Sequence, residues 1–371
     1  MKKFFGKIWE FAKKEVVLSI AIVAALITCF FVPPDAEYLQ YFEFKTLIAL
    51  FCMLAVVAGL KNTQVFELIS NKMIGLFHTR RAVIYALVYG TFFFDMIVAN
   101  DMSLITFLPL TYIVLHSTGN DKYLSYTFIL QTIAANMGGM VTPYGNPQNL
   151  YLYSFFEIPT AEFFTVLLPQ NITVLVLLFV AGLFIKNDEL KLINDGKLEI
   201  KKKELCIYTV LFVMVILSIF RVIPHVITMA VVILAVLIVD RSRFKHVDYA
   251  LLATFCVFFV FSGNIARIQA IKDFIESIVT ENILVAGIVS CQFISNVPTA
   301  IFLSKFTKNW QDLLVAVNVG SLGIIISSLA SLITLKEFLK HQPDKFKSYM
   351  LKFTLVNTCF LAVLLLITWL T

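Results

Sequence analysis

Residues 136–149 read NMGGMVTPYGNPQN. On either side the chain is rich in Phe, Leu, Ile and Val, yet this stretch carries glycines, prolines and amides that break a helix. In water such a run is a surface loop. Between two apolar segments its meaning depends on the surrounding medium, and the composition decides what that medium is.

Of 371 residues, 59% are hydrophobic and only 15% charged, whereas a soluble globule carries about 25% charged residues. Apolar runs at 16–32, 163–185, 223–239 and 349–370 approach or reach the ~20 residues that span a hydrocarbon core. The chain is therefore read as an all-α, polytopic membrane protein. Its first apolar run leads into Pro33 and Pro34 rather than a small-residue cleavage site, so it is read as a retained helix. Ahead of it, MKKFFGKIWEFAKKE places lysines among Phe4, Phe5, Ile8, Trp9 and Phe11, as an amphipathic helix on an anionic leaflet or a plain positive-inside anchor would. The six cysteines fall singly in or beside apolar segments without CxxC spacing, which indicates neither a zinc site nor a disulfide framework. The net charge of +6 lies mostly in loops beside helices and reports orientation, not nucleic-acid binding.

Lysine and arginine mark the inner face. The N-terminus is basic, 33–43 carries only the acids Asp35, Glu37 and Glu43, and 61–81 carries Lys61, Lys72, Arg80 and Arg81, which reads in, out, in. Residues 151–162 hold Glu157 and Glu162 without a basic residue, and 186–204 hold six lysines, which reads out, in. The chain then repeats itself. FCMLAVVAG (51–59) aligns with FCVFFVFSG (255–263), ANDMS (99–103) with SNVPT (295–299), and the opening stretch with NVGSLGIIISSLAS (318–331). The charge bias reverses between the halves: 264–281 is acid-weighted, and 335–348 is basic through Lys336, Lys340, Lys345 and Lys347, with Lys305 and Lys308 as exceptions. Inverted repeats with paired interruptions are the signature of secondary transporters, whose site lies at the midplane. The expected organisation is an amphipathic cytoplasmic N-terminus (1–15), a transmembrane repeat (16–185), a basic linker with a connecting helix (186–222) and a second repeat (223–371).

Inside hydrocarbon, non-helical backbone is tolerated only where protein buries it or water reaches it. The interruptions therefore mark a cavity. Free N–H groups at half-helix starts suit anions, and bare carbonyls at half-helix ends suit cations. Asn136, Thr142, Gly145, Asn146 and Asn149 belong to the first break, and Asn318, Ser327 and Ser328 to the second. A hairpin from 82–98 and 103–117 places Asn100 and Asp101 at its tip; its partner, 282–307, places Ser295, Asn296 and, just beyond, Thr299. Asp95 and Asp101 are the only acids between 82 and 116. An acid at membrane depth is expensive, so proton relay or cation ligation is the default role. Asp101 beside Asn100 is the first choice, while Asp95, next to Phe92, Phe93 and Phe94, is read either in that role or as a hydrogen-bonded structural acid. His225 is expected to be solvated in an outer turn, and Arg267 and Lys272 to snorkel at the interface.

At these residues the sequence resembles the ion transporter superfamily of arsenite permeases, NhaD-type antiporters and citrate or dicarboxylate permeases. NMGGMVTPYGNPQN is similar to that family's N-x-G-G-x-x-T-P-x-G-N-P-x-N loop, Asn100-Asp101 to the end of its N-N-D motif, and Ser295-Asn296-Val297-Pro298 to its S-N-x-P motif. Ala99 stands in place of the first Asn of N-N-D, and Gly323-Ile324-Ile325-Ile326 in place of a Pro-rich second loop. The small size suggests the compact branch of anion permeases. The resemblance implies a secondary active transporter for a small carboxylate or oxyanion in the cytoplasmic membrane, coupled to H⁺ or Na⁺, with Na⁺ placed near Asn100, Asp101 and Asn296. Arsenite efflux and Na⁺/H⁺ exchange are the alternatives. An intramembrane enzyme using Asp95 and Asp101 as paired acids lacks any accompanying H-E-x-x-H spacing or activated nucleophile. The partners expected are the lipid bilayer, a small anionic solute and a second copy in a homodimer; no cofactor and no nucleic acid are expected. The N-terminus is expected inside and the C-terminus outside.

Overall fold

The apolar composition leaves the chain one way to satisfy its backbone in lipid, which is to form helices. The computed structural model describes residues 15–98, 100–189 and 200–370. The expected amphipathic N-terminus and part of the basic linker lie outside the described residues. In chain order the α-helices are α1 (Val16–Phe31), α2 (Phe44–Asn62), α3 (Val65–Ile74), α4 (Arg80–Val98), α5 (Asn100–Ser117), α6 (Leu124–Gly138), α7 (Pro147–Phe155) and α8 (Thr160–Leu183). They continue with α9 (Lys202–Ile219), α10 (His225–Asp240), α11 (Tyr249–Arg267), α12 (Gln269–Ile294), α13 (Asn296–Leu303), α14 (Trp310–Val319), α15 (Leu329–His341) and α16 (Phe346–Leu370). Among the described residues, seven helices are long and apolar enough to cross a membrane. The protein is an all-α, multi-pass membrane protein.

Burial separates core helices from lipid-facing ones. The most apolar window of α2 is 61% buried, whereas that of the span beginning with α10 is only 17% buried. Phe30, Leu234, Ile238 and Trp369 stand exposed on outer helices, an arrangement that suits acyl chains and would be an aggregation liability in water. Without a hydrophobic drive between helices in lipid, close approach depends on small residues. Gly59 on α2 receives the ring of Tyr208 from α9, and Gly263 on α11 receives that of Tyr41. These two glycines are the last positions of the aligned FCMLAVVAG and FCVFFVFSG stretches.

The order of elements in 16–183 recurs in 225–370, with α9 between them. The packing is reciprocal: α1 lies on α11 as α10 lies on α2, α4 packs on α6 as α12 packs on α14, and α5 meets α15 as α13 meets α7. Helix α12 stands for both α3 and α4. It bends at Asn282 (φ −161°, ψ 88°), whose side chain restarts the helix by accepting the Val285 N–H at 3.0 Å.

Two sequence expectations about charges change. Arg267 does not simply snorkel: its guanidinium grips Asp35 at 2.6 Å, the Tyr41 hydroxyl at 2.9 Å and Glu37 at 3.4 Å, fastening the 36–41 turn to α11. The hydrogen bond from Arg267 holds the Asp35 carboxyl below its ordinary pKa. A depressed folded-state pKa stabilises the fold above the unfolded value, and that contribution fades as pH falls through the folded one. His225 is half-buried rather than solvated, with Nδ1 3.0 Å from Ser218 Oγ. Lys272 pairs loosely with Glu276 at 3.8 Å.

A Cβ on Gly59 or Gly263 would fall inside a tyrosine ring. Gly59→Ala and Gly263→Ala are each expected to cost about 1–3 kcal/mol by overpacking, read as a lower thermal midpoint of the detergent-solubilised protein. Val210→Ala, at a 63% exposed position, should leave that midpoint nearly unchanged.

Candidate functional site

The opening stretch folds as a broken helix for local reasons. α6 ends at Gly138, Gly139–Val141 makes one 3-10 turn, and α7 starts at Pro147 behind an extended Asn146, with proline at the first helical position where its missing N–H costs nothing. Gly138 abuts the Phe92 carbonyl, and Gly139 abuts the side chains of Asn146 and Asp95, so neither position has room for a Cβ. The asparagines hold the freed carbonyls: Asn146 donates to Asn136 O at 3.1 Å, and Asn149 to Gly139 O at 3.2 Å and Thr142 O at 3.4 Å. Thr142 Oγ1 reaches Met96 O on α4 at 2.9 Å.

The second break is held differently. Gln292 of α12 donates to Gly320 O at 2.9 Å and Leu322 O at 3.0 Å, and accepts from the Ile324 N–H at 3.0 Å. Ser327 Oγ donates to Ser321 O at 2.7 Å. Ser328 caps α15 by accepting from Ser331 N at 3.2 Å. The α12–α13 tip is Ser295, a non-glycine residue at φ +71°, a conformation that costs of order 1–3 kcal/mol and is concentrated at functional sites. Its carbonyl accepts from Thr299 Oγ1 at 2.8 Å.

Each broken helix donates across to the other. Asn136 Nδ2 reaches Ser328 Oγ at 2.9 Å, and Asn318 Nδ2 reaches Asn149 Oδ1 at 2.7 Å, with Gln148 Nε2 3.3 Å from Asn318 Oδ1. Beside this bridge lies a cavity of about 270 Å³. Its wall includes the first residue of four helices: Asn100 of α5, Pro147 of α7, Asn296 of α13 and Leu329 of α15. Among the described residues no lysine or arginine lines it, and Tyr144, His246 and Asp248 are its titratable residues.

Asp95 is wholly buried one layer behind that wall. Ser103 Oγ donates to its Oδ1 at 2.7 Å, and the Asn100 amide, turned to donate, lies against Asp95 and Asn146. A carboxyl at this depth is either protonated or held ionised by neighbouring donors or charge. The Asp101 side chain lies outside the described residues.

Of the residues singled out from the sequence, Asn100, Asn296 and Ser328 line the cavity. Asn136, Thr142, Gly145, Asn146, Asn149, Ser295, Thr299, Asn318 and Ser327 stand behind it, supporting the two breaks and the second tip. Sequence reading missed Ser103, Tyr144, Gln148, Gln292 and His246. Gln292 carried a signal, since it is an isolated amide in an apolar arm three residues before the tip. His246 carried none.

Broken helices and helical hairpins packed around an interior cavity in a multi-pass protein are the architecture of a membrane transporter. Over residues 7–320 the chain matches the citrate transporter (CitMHS) family. It belongs to that family. It is 32% identical over 301 residues to an uncharacterized transporter of Methanocaldococcus jannaschii, covering 81% of this chain and 82% of that one. It is 23% identical over 322 residues to the inner membrane protein YbiR of Escherichia coli, covering 85% of this chain and 86% of that one.

Removing either crossing amide leaves a buried partner unpaired. Asn136→Ala and Asn318→Ala are each expected to cost about 1–3 kcal/mol, measured as a loss of thermal midpoint. Because the two asparagines serve one bridge, the double variant should lose less than the sum of the two.

Proposed function

We propose that the protein is a secondary active transporter for a small anion, a carboxylate or oxyanion, in the cytoplasmic membrane, coupled to H⁺ or Na⁺ by alternating access between two inverted repeats. The observation that carries this reading is the convergence of four helix N-termini on one cavity. Each N-terminus carries about half a positive charge, even where Asn296 and Ser328 take up the Val297 and Ser331 N–H groups, so the cavity favours an anion without any cationic side chain. Asp95 supplies the complementary half of the site. A buried acid next to the Asn100 and Asn146 amides suits a coupling proton or Na⁺, and the charge it brings offsets the anion's. Its burial beside the first break supports Asp95 in the coupling role. The cavity reaches His246 and Asp248 beside the basic 241–245 connection, which supports a cytoplasm-facing conformation.

The absence of lysine and arginine from the described cavity wall also suits an uncharged polyhydroxy solute such as undissociated arsenious acid, the second reading. Purified protein in liposomes with imposed pH or Na⁺ gradients, offered citrate, succinate, sulfate, phosphate and arsenite, separates the two. Gradient-driven accumulation of a carboxylate or oxyanion is the expected result; transport of arsenite alone would overturn the anion reading.

Asp95→Asn is expected to abolish gradient-driven uptake while leaving a folded protein, because the amide keeps the shape and hydrogen-bonding reach of the acid. Wild-type coupling in Asp95→Asn with loss in Asp101→Asn would return the coupling role to Asp101. The inverted arrangement has its own check. With the native cysteines replaced, Ala161→Cys and Ser348→Cys, both exposed positions, should label from opposite faces of the membrane, the first from outside. Labelling from one face would exclude inversion.

A further inference from the structure

A second, smaller cavity of about 40 Å³ lies on the far side of a single side chain from the first. Along α2, Lys45 and Ala49 face the small cavity while Leu50, Met53 and Val57 face the large one. Along α7, Tyr153 and Ser154 face the small cavity while Pro147 and Gln148 face the large one. The two cavities therefore follow one another along both helices. Leu150, 3% exposed, lines both and forms the partition. At 1.5 Å per residue, the stretch from Lys45 to Val57 covers about 18 Å, more than half the hydrocarbon thickness.

The two cavities differ in charge. The small one is lined by Lys45, Arg221 and His225 against one acid, Glu157. Lys45 Nζ lies 3.4 Å from Glu157 Oε1, with both side chains more than half exposed, a pair that water and ions can open at little cost. Arg221 is fixed in place: at φ +65° its guanidinium donates to Tyr153 O at 2.8 Å and Glu157 O at 3.3 Å and lies 4.6 Å over the Tyr153 ring. The cluster keeps a net positive charge even with His225 neutral. A volume of about 40 Å³ is several times the ~10–15 Å³ that a single water needs, which is room for a carboxylate or oxyanion head.

We infer that Lys45, Arg221 and His225 form an outer collecting site for the anion's charged group, separated from the main cavity by Leu150. This rests on the reading of the protein as an anion transporter. The anion meets the basic cluster first, displaces Glu157 from Lys45, and passes to the helix N-termini when the Leu150 partition moves.

The test uses the full-length protein with its native cysteines replaced and Ser154→Cys as the reporter in the small cavity. The anionic sulfonatoethyl and cationic trimethylammonioethyl methanethiosulfonates are applied from outside, and their rates are divided by those with a free thiol. The corrected ratio is expected to favour the anionic reagent several-fold, to fall toward one in Lys45→Gln/His225→Gln, and to rise in Glu157→Gln. A ratio near one in the parent, a ratio unmoved by these changes, or labelling only from the cytoplasmic face overturns the inference. The transport arm separates it from the broader reading. If an anion is carried and Lys45→Gln/His225→Gln raises its KM from outside several-fold more than its KM from the cytoplasmic side, the collecting site stands; equal KM changes on both sides overturn it. A charge-selective ratio in a protein that carries none of the anions offered would leave the cluster standing and remove the transport reading.

Discussion

A peptide group left unpaired in hydrocarbon costs several kcal/mol, and this constraint shapes the whole molecule. Two helices stop in mid-course, at Gly138 and Val319, and restart at Pro147 and Leu329. Such interruptions survive only if other groups take over the backbone bonds they surrender. In the first break the takeover is internal, through Asn146 and Asn149. In the second it comes from Gln292 on a neighbouring helix. The Asn136–Ser328 and Asn318–Asn149 bonds then tie the two breaks to each other. The polar interior is thus a consequence of breaking helices in lipid, and the helix starts it frees give the cavity its electrostatic character.

That character is lopsided. With the tips aligned as ANDMS on SNVPT, Asn100 corresponds to Asn296 and Ser103 to Thr299, while Asp95 corresponds to Cys291. Both Asp95 and Cys291 are fully buried, and each lies beside a glycine of its break, Gly139 and Gly320. The scaffold is therefore duplicated, but the acid is not. A carboxyl group in one half and a thiol in the other make the layer behind the cavity wall asymmetric. In the proposed reading, this division keeps the acid behind the wall, where it would not repel an anion in the cavity directly.

Much of this was legible in the sequence because the strongest signals are compositional and local. Long apolar runs, the glycine and proline punctuation of 136–149, and the weak alignment of three blocks all survive without tertiary information. The pairing of Asn136 with Ser328 was not legible, because residues 192 positions apart are joined by packing alone. Nor was the approach of Asp95 to the first break. Sequence favoured Asp101 for its place beside Asn100 at the tip. On α4, however, helical spacing turns Asp95 toward Gly139, and only a residue without a side chain there lets the acid approach the break. His225 and Arg267 were misjudged for a related reason: both sit at helix ends, where exposure depends on which turn folds over them.

The two breaks also differ in how independently they can hold their shape. Pro143 and Pro147 restrict the first loop's backbone, and its own asparagines hold its freed carbonyls, with Thr142 tying it to Met96 O on α4. The second loop has Gly323 at φ +116° and no proline. It takes its support from Gln292, three residues from the strained Ser295 tip. Any displacement of the α12–α13 hairpin must therefore carry the second break with it or expose three backbone groups at once. Rigid support in one half and hairpin-dependent support in the other make the second hairpin and its break one mechanical unit, while the first break serves as the fixed surface on which the Asn136 and Asn318 bridges rest.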